Sequence, residues 1–111
     1  MIVDKGKDDV AAKIAAAYTV VKVGNGGDST SASQDALDSV VATKTSVTPS
    51  RIGSHLVWSV DFTGSQLGNE GVSELGIFDS SDTLLSRVTF TNTGVVASAD
   101  TVTFTIRVEV D

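Results

Sequence analysis

Few side chains in this sequence could do chemistry, and each stands nearly alone. His55 is the single histidine, hence the one ordinary acid–base group near neutral pH. A catalytic role would need a carboxylate or a nucleophile held beside it, and no Ser-His-Asp order or equivalent is present; His55 reads as an exposed residue at the start of a strand. Glu70 and Glu74 resemble the paired carboxylates of a glycosidase, but that chemistry also needs a sugar cleft, usually lined with aromatic rings. The chain has one Trp, one Tyr and four Phe, and Trp58, Phe62, Phe90 and Phe104 fall on faces expected to point into the core. Asp79 and Asp82 bracket a short turn, where such carboxylates bond back to the backbone; a weak cation site is the alternative. The run Gly24-Asn25-Gly26-Gly27-Asp28 has the outline of a phosphate cradle or a calcium-binding repeat. It lacks the further glycine and long helix of a dinucleotide fingerprint, the Lys-Ser/Thr pair of a phosphate loop, and the stacked neighbours of a calcium solenoid. It is expected to be a turn whose glycines take positive φ. With no cysteine, thiol nucleophiles, disulfides, zinc knuckles and iron–sulfur clusters are excluded. The sequence thus assigns no catalytic, cofactor-binding or metal-binding residue, and the expectation is a protein that is not an enzyme.

The elements around these residues are mostly strands. Lys7 to Ala17 is alanine-rich, with Val10, Ile14 and Ala17 at helical spacing and Asp8 and Asp9 near the positive end of the dipole, which predicts a short helix lying against a sheet or a neighbouring subunit. Tyr18 to Val23 reads as a strand. A one- or two-turn helix over Asp35 to Asp38, capped by Ser33 and anchored by Leu37, is expected next. Val40 to Ile52, interrupted by Pro49, reads as two short strands or one bent strand at an edge. His55 to Thr63 alternates cleanly, with Leu56, Trp58, Val60 and Phe62 on one face. Gly64 to Gly71 is a loop, and Val72 to Phe78 a strand joined by the turn Asp79 to Asp82 to the strand Leu84 to Asn92, whose inward row is expected to be Leu84, Ser86, Val88 and Phe90. Thr93 to Asp100 connects, with Val95 and Val96 dipping under the sheet. Thr101 to Val110 is the most regular segment: Val102, Phe104, Ile106, Val108 and Val110 inward; Thr101, Thr103, Thr105, Arg107 and Glu109 outward.

Composition agrees. The 111 residues suit one domain, 1–111. Seventeen Val, thirteen Thr and fourteen Ser against a single Pro suit half-buried pleated strands. The expected fold is mainly β: a single antiparallel β-sandwich with a short N-terminal α-helix. A net charge of −6 argues against nucleic-acid binding, which rests on Lys and Arg meeting phosphates. The charged opening and the want of any apolar run near the roughly 20 residues of a membrane span predict a soluble product made in the cytoplasm, with no membrane partner. Long Thr- and Val-rich strands with few lysines to guard their edges attract other chains, so assembly with copies of itself or a neighbour is expected.

A series of segments is also familiar in its order: Gly6-Lys7-Asp8-Asp9-Val10-Ala11-Ala12-Lys13-Ile14, then Val23-Gly24-Asn25-Gly26-Gly27, then Asp35-Ala36-Leu37-Asp38-Ser39-Val40, then Glu74-Leu75-Gly76-Ile77-Phe78-Asp79, Leu84-Leu85-Ser86-Arg87-Val88-Thr89-Phe90, and Ser98-Ala99-Asp100-Thr101-Val102-Thr103. Together they resemble small virion proteins of tailed viruses, in particular the tail-fibre or tail-collar N-terminal module, with its glycine-rich G-x-G loop, its L-x-x-x-V helix and its E-x-G-I/L-F-D strand before a hairpin. The resemblance spans nearly the whole chain. It implies a non-enzymatic structural subunit of a bacteriophage-type particle, made in the host cytoplasm and located in the virion. Its partners would be itself, with a trimer as the expected homo-oligomer, and other virion structural proteins, and it would need no cofactor. In tail-collar proteins this module attaches a longer fibre to the baseplate. Here no distal fibre follows Asp111, which raises a rival reading, a capsid decoration or cement protein on the head surface. An unrelated soluble ligand-binding β-sandwich is the third.

Overall fold

A computed structural model describes the chain from Met1 to Asp111. Helix α1 (Asp4–Ala17) is followed by seven strands: β1 (Val20–Gly24), β2 (Val40–Lys44), β3 (Ser50–Ile52), β4 (His55–Thr63), β5 (Glu74–Phe78), β6 (Leu84–Thr89) and β7 (Thr101–Glu109). They form two antiparallel sheets, one in the order β2-β1-β5-β6 and the other β3-β4-β7, packed face to face as the mainly β sandwich with one N-terminal helix that the composition predicts. No helix is long and apolar enough to cross a membrane.

Alternation decides which residues lie between the layers. Val21, Val23, Leu75 and Ile77 from the four-stranded sheet meet Leu56, Trp58, Val60, Phe62 and Ile106 from the three-stranded one, because side chains two apart on a strand share a face. The row expected on β4 is buried in full. Pro49 falls between β2 and β3, and both strands lie at sheet edges, where a missing N–H does no harm.

Several local expectations are corrected. The helix begins at Asp4, and its buried side is formed by Ala11, with Ile14, Ala15 and Tyr18 packed against the core; Val10 and Ala17 face solvent. The small Ala11 lets the helix lie close to β3 and β4, while Trp58 Nε1 donates to the Tyr18 carbonyl at 2.8 Å, which satisfies both groups at the helix end. Asp35 to Asp38 is not helical; it is an irregular stretch, although Leu37 is the buried anchor expected. Val95 is 71% exposed and only Val96 is half-buried. On β6 the expected inward row is broken by a register shift between Ile77 and Phe78: Val88 and Ser86 oppose Leu75 and Ile77, but Val88 is exposed and Leu84 opposes Phe78 on the other face. Leu85 packs on the core instead.

The residues between the core positions of the four-stranded sheet, Lys22, Gly24, Glu74, Gly76, Phe78 and Arg87, therefore face outward, yet all five residues of β5 are buried. The segment 25–39 lies over them. Leu37 sits on Gly76, where a Cβ would stand 2.8 Å from Leu37 Cδ2 and 2.8 Å from Phe78 Cε1, so the sheet can take this second, small apolar layer only because residue 76 has no side chain.

Candidate functional site

Under that segment lies a charged pair with no solvent exposure of either side chain, Glu74 and Arg87. Both come from the β5–β6 hairpin. Gly76 opposes Arg87 and Glu74 opposes Thr89, so the two charged residues are diagonal neighbours on one face. Arg87 Nε donates to Glu74 Oε1 at 2.9 Å. The other donors to the carboxylate come from the covering segment: the Asp38 N–H to Oε1 at 3.0 Å, and the Gly26 and Ser39 N–H groups to Oε2 at 2.9 Å each. Each oxygen thus accepts twice, which exhausts what a carboxylate can accept.

Arg87 spreads its remaining donors over the same segment. Nη1 donates to the Asp28 carbonyl at 2.7 Å, Thr30 Oγ1 at 3.0 Å and Gln34 Oε1 at 3.4 Å, and Nη2 to Asp38 Oδ2 at 3.0 Å. Ser73 closes the arrangement from the strand end: its N–H donates to the Gly24 carbonyl at 2.8 Å and its hydroxyl to the Gly26 carbonyl at 2.7 Å. Burial by itself pushes the Glu74 carboxyl up, but the N–H groups of Ser39 and Asp38, the Arg87 guanidinium and the Gly26 N–H outweigh it, and its pKa lies below the ordinary carboxylate value. An ionised carboxylate that deep in a protein is stable only with such partners.

The glycine run now has a different physical role from the one its composition suggests. Glycines with positive φ are Gly53, Gly68 and Gly94, none of them in 24–28. Gly24 and Gly26 are needed for close approach: a Cβ at 24 would press on the Ser39 carbonyl and stand 2.5 Å from Glu74 Oε2, and one at 26 would collide with Asp38 and stand 2.6 Å from the same oxygen. Gly27 has open space around its Cα.

The other candidates are dispersed. Glu70 is exposed while Glu74 is buried and fully engaged, so they do not work as a pair of catalytic carboxylates. Asp79 Oδ1 accepts from the Ser81 and Thr83 N–H groups at 2.9 and 2.8 Å, tying the hairpin turn as expected. Asp82, at φ 64, accepts from Lys22 Nζ at 2.8 Å. His55 is exposed at the first residue of β4, its Nε2 3.5 Å from Glu109 Oε1. It borders an open depression of about 280 Å³ formed by Ser50, Ile52, His55, Val57 and Arg107. Thr101, Thr103, Thr105, Arg107 and Glu109 are exposed along the outer face of β7, with the Thr103 hydroxyl donating to Asp61 Oδ1 at 2.6 Å. No three His, Cys, Asp or Glu side chains gather as a metal site, and no buried side-chain nitrogen or oxygen lacks a hydrogen-bond partner. The Glu74–Arg87 cluster is consequently a clasp: both oxygens of Glu74 are fully engaged and every nitrogen of the Arg87 guanidinium already has a partner inside the chain.

Sequence reasoning missed this clasp. The available signal was a glutamate and an arginine placed symmetrically enough about the Asp79–Asp82 turn to share a face, each inside an otherwise apolar strand. Compared with known protein families and with curated proteins, the chain has no match.

Proposed function

We propose that this chain is a non-enzymatic structural subunit of a tailed-virus particle, an adaptor of the tail-fibre or baseplate kind that assembles with its own copies and docks on other virion proteins. The observation that carries the proposal is convergence. Four of the segments on which the resemblance rests are Val23 to Gly27, Asp35 to Val40, Glu74 to Asp79 and Leu84 to Phe90. They are far apart in sequence and meet at the one buried clasp. Every position of Glu74-Leu75-Gly76-Ile77-Phe78-Asp79 serves the fold. Glu74 holds the covering segment, Leu75 and Ile77 fill the core, Gly76 admits Leu37, Phe78 supports the outer apolar layer, and Asp79 closes the hairpin. The motif is thereby used up in making a rigid body, which is what a building block of a symmetric particle requires, since many weak contacts between rigid copies add through avidity.

The test is to purify particles of the virus that encodes the chain and count this protein against the major capsid protein by quantitative mass spectrometry. A few copies per particle, in tail fractions, support the adaptor reading. Hundreds of copies in head fractions would replace it with a capsid decoration role, and absence from particles would overturn it altogether.

A further inference from the structure

Strand β7 forms one free edge of the three-stranded sheet. Strand β7 is nine residues long and pairs only with β4, in one uninterrupted register from His55 opposite Glu109 to Thr63 opposite Thr101. The ladder is bracketed by Val110 N–H donating to the Ser54 carbonyl and Gly64 N–H donating to the Asp100 carbonyl, both at 3.0 Å. In an antiparallel pair, residues whose backbone groups face the partner alternate with residues whose groups face away. Even-numbered residues of β7 therefore address β4, and the N–H and C=O groups of Thr101, Thr103, Thr105, Arg107 and Glu109 point out of the sheet edge. Nothing in the chain hydrogen-bonds to them.

Most of the devices that usually blunt an edge are missing here, with Arg107 and Glu109 the only charges on the strand. β7 holds no Pro, no Lys and no bulge. The other edges differ: β3 has three residues, and the pairings of β2 and β6 each contain a register shift, which twists an edge away from a flat partner. The inward row of β7 is also incompletely covered, with Ile106 buried but Val102, Phe104 and Val108 only half-buried.

We infer that β7 pairs antiparallel with β7 of a second copy about a two-fold axis at Thr105, joining two three-stranded sheets into one of six strands. The strand's own sequence selects this occupant. Centring on Thr105 engages all nine residues and sets Thr105 opposite Thr105, Thr103 opposite Arg107, and Thr101 opposite Glu109. On the inner face Phe104 meets the second copy's Ile106, and Val102 its Val108, extending the apolar row of both cores. No like charges oppose each other, which matters for a chain of net charge −6. Parallel in-register pairing would place Arg107 beside Arg107 and Glu109 beside Glu109. The interface deepens the structural-subunit reading, on which its biological use rests. It closes at a dimer, so a trimer would need a contact elsewhere.

The test uses the full chain. Sedimentation at micromolar to millimolar concentration should give twice the monomer mass, and Thr105→Pro should halve that mass with an unchanged circular-dichroism spectrum, because the N–H it removes faces the edge and not β4. Since the chain has no cysteine, Thr105→Cys under mild oxidation should give a covalent dimer, its two Cα atoms about 5.5 Å apart across a hydrogen-bonded pair. Thr101→Cys, about 27 Å from its own counterpart at 3.4 Å per residue, should not. A monomer at millimolar concentration, a dimer indifferent to Thr105→Pro, or equal cross-linking at 101 and 105 would overturn the inference. A monomer found in virions would sink the edge pairing and spare the subunit reading; a β7-paired dimer absent from virions would do the reverse.

Discussion

Replacing Glu74 with glutamine changes one heavy atom and tests the clasp directly. The glutamate oxygens each accept two hydrogen bonds, Oε1 from Asp38 N–H and Arg87 Nε and Oε2 from Gly26 N–H and Ser39 N–H. Whichever way the amide turns, its NH2 group faces two donors and leaves them without an acceptor. An unsatisfied buried donor costs about 1–3 kcal/mol, and Arg87 keeps its charge while losing its buried counterion, a class of change that costs about 3–5 kcal/mol in all. Set against a whole-domain stability of about 5–15 kcal/mol, the expected loss is about 3–5 kcal/mol, or a fall in Tm of about 12–20 °C. Urea unfolding followed by the fluorescence of Trp58, the only tryptophan and fully buried, measures it. Hydrogen exchange at the amides of Gly26, Asp38 and Ser39 localises it, and these should lose protection first. Arg87→Met should cost less, because Glu74 retains three backbone donors. The double variant should fall short of the sum of the singles by about 1–3 kcal/mol, as expected for residues in one network. A Glu74→Gln protein within 1 kcal/mol of the parent, or strict additivity, would refute the clasp as the device that holds 25–39 on the sheet.

The glycines of the covering segment should separate sharply. Gly26→Ala should destabilise by about 1–3 kcal/mol through overpacking against Asp38 and Glu74, whereas Gly27→Ala, with open space at its Cβ, should stay within about 0.5 kcal/mol; urea midpoints of the two variants decide it. Acid should erase the difference between the parent and Glu74→Gln. A carboxyl whose folded pKa is depressed stabilises fully above its unfolded value of about 4.3 and loses that contribution as pH falls through the folded value. The stability gap should therefore be constant from pH 7 to about 5 and shrink below about 4, and a gap that stays level down to pH 3 would show that ionisation of Glu74 is not its source. In the core, Phe62→Ala should cost about 3–5 kcal/mol, since Phe62 is 1% exposed and packs edge-on to Phe104. Thermal unfolding of this variant beside Thr103→Ala, whose side chain is on the wet face, should show a large shift for the first and a small one for the second.

What the sequence reveals of the fold follows from where periodicity has a cause. His55 to Thr63 and Thr101 to Val110 alternate because each has one side on the core and one in water, and their faces can be read residue by residue. The β6 row cannot, because a register shift opposite Phe78 exchanges faces partway along, and no residue type marks that shift. Asp35 to Asp38 carries helix-compatible residues, but three of the backbone N–H groups around it and the glycine run are claimed by Glu74, a partner 35 or more positions away; tertiary hydrogen bonding overrides local propensity. The glycine run is visible at once, while its reason, close approach to a distant carboxylate, lies entirely in the third dimension.

The two outer faces of the sandwich are thus unlike. On the four-stranded sheet the chain covers itself: taking Glu74 and Arg87 out of water is unfavourable unless they find close partners, and the segment 25–39 supplies most of them, so a partner approaching that face would first have to displace that network. On the three-stranded sheet no segment plays that part. Its outer face carries Thr, Ser and a few charges beside the open depression at Ile52 and Val57, and it ends at an edge whose backbone groups are hydrogen-bonded to nothing in the chain. Groups already paired with water lose little when they pair with another strand, whereas groups locked in a buried clasp lose nearly everything. If the molecule is a subunit, its contacts fall on the β3-β4-β7 side, and substitutions that abolish assembly without unfolding the protein should map there and not to the surface of 25–39.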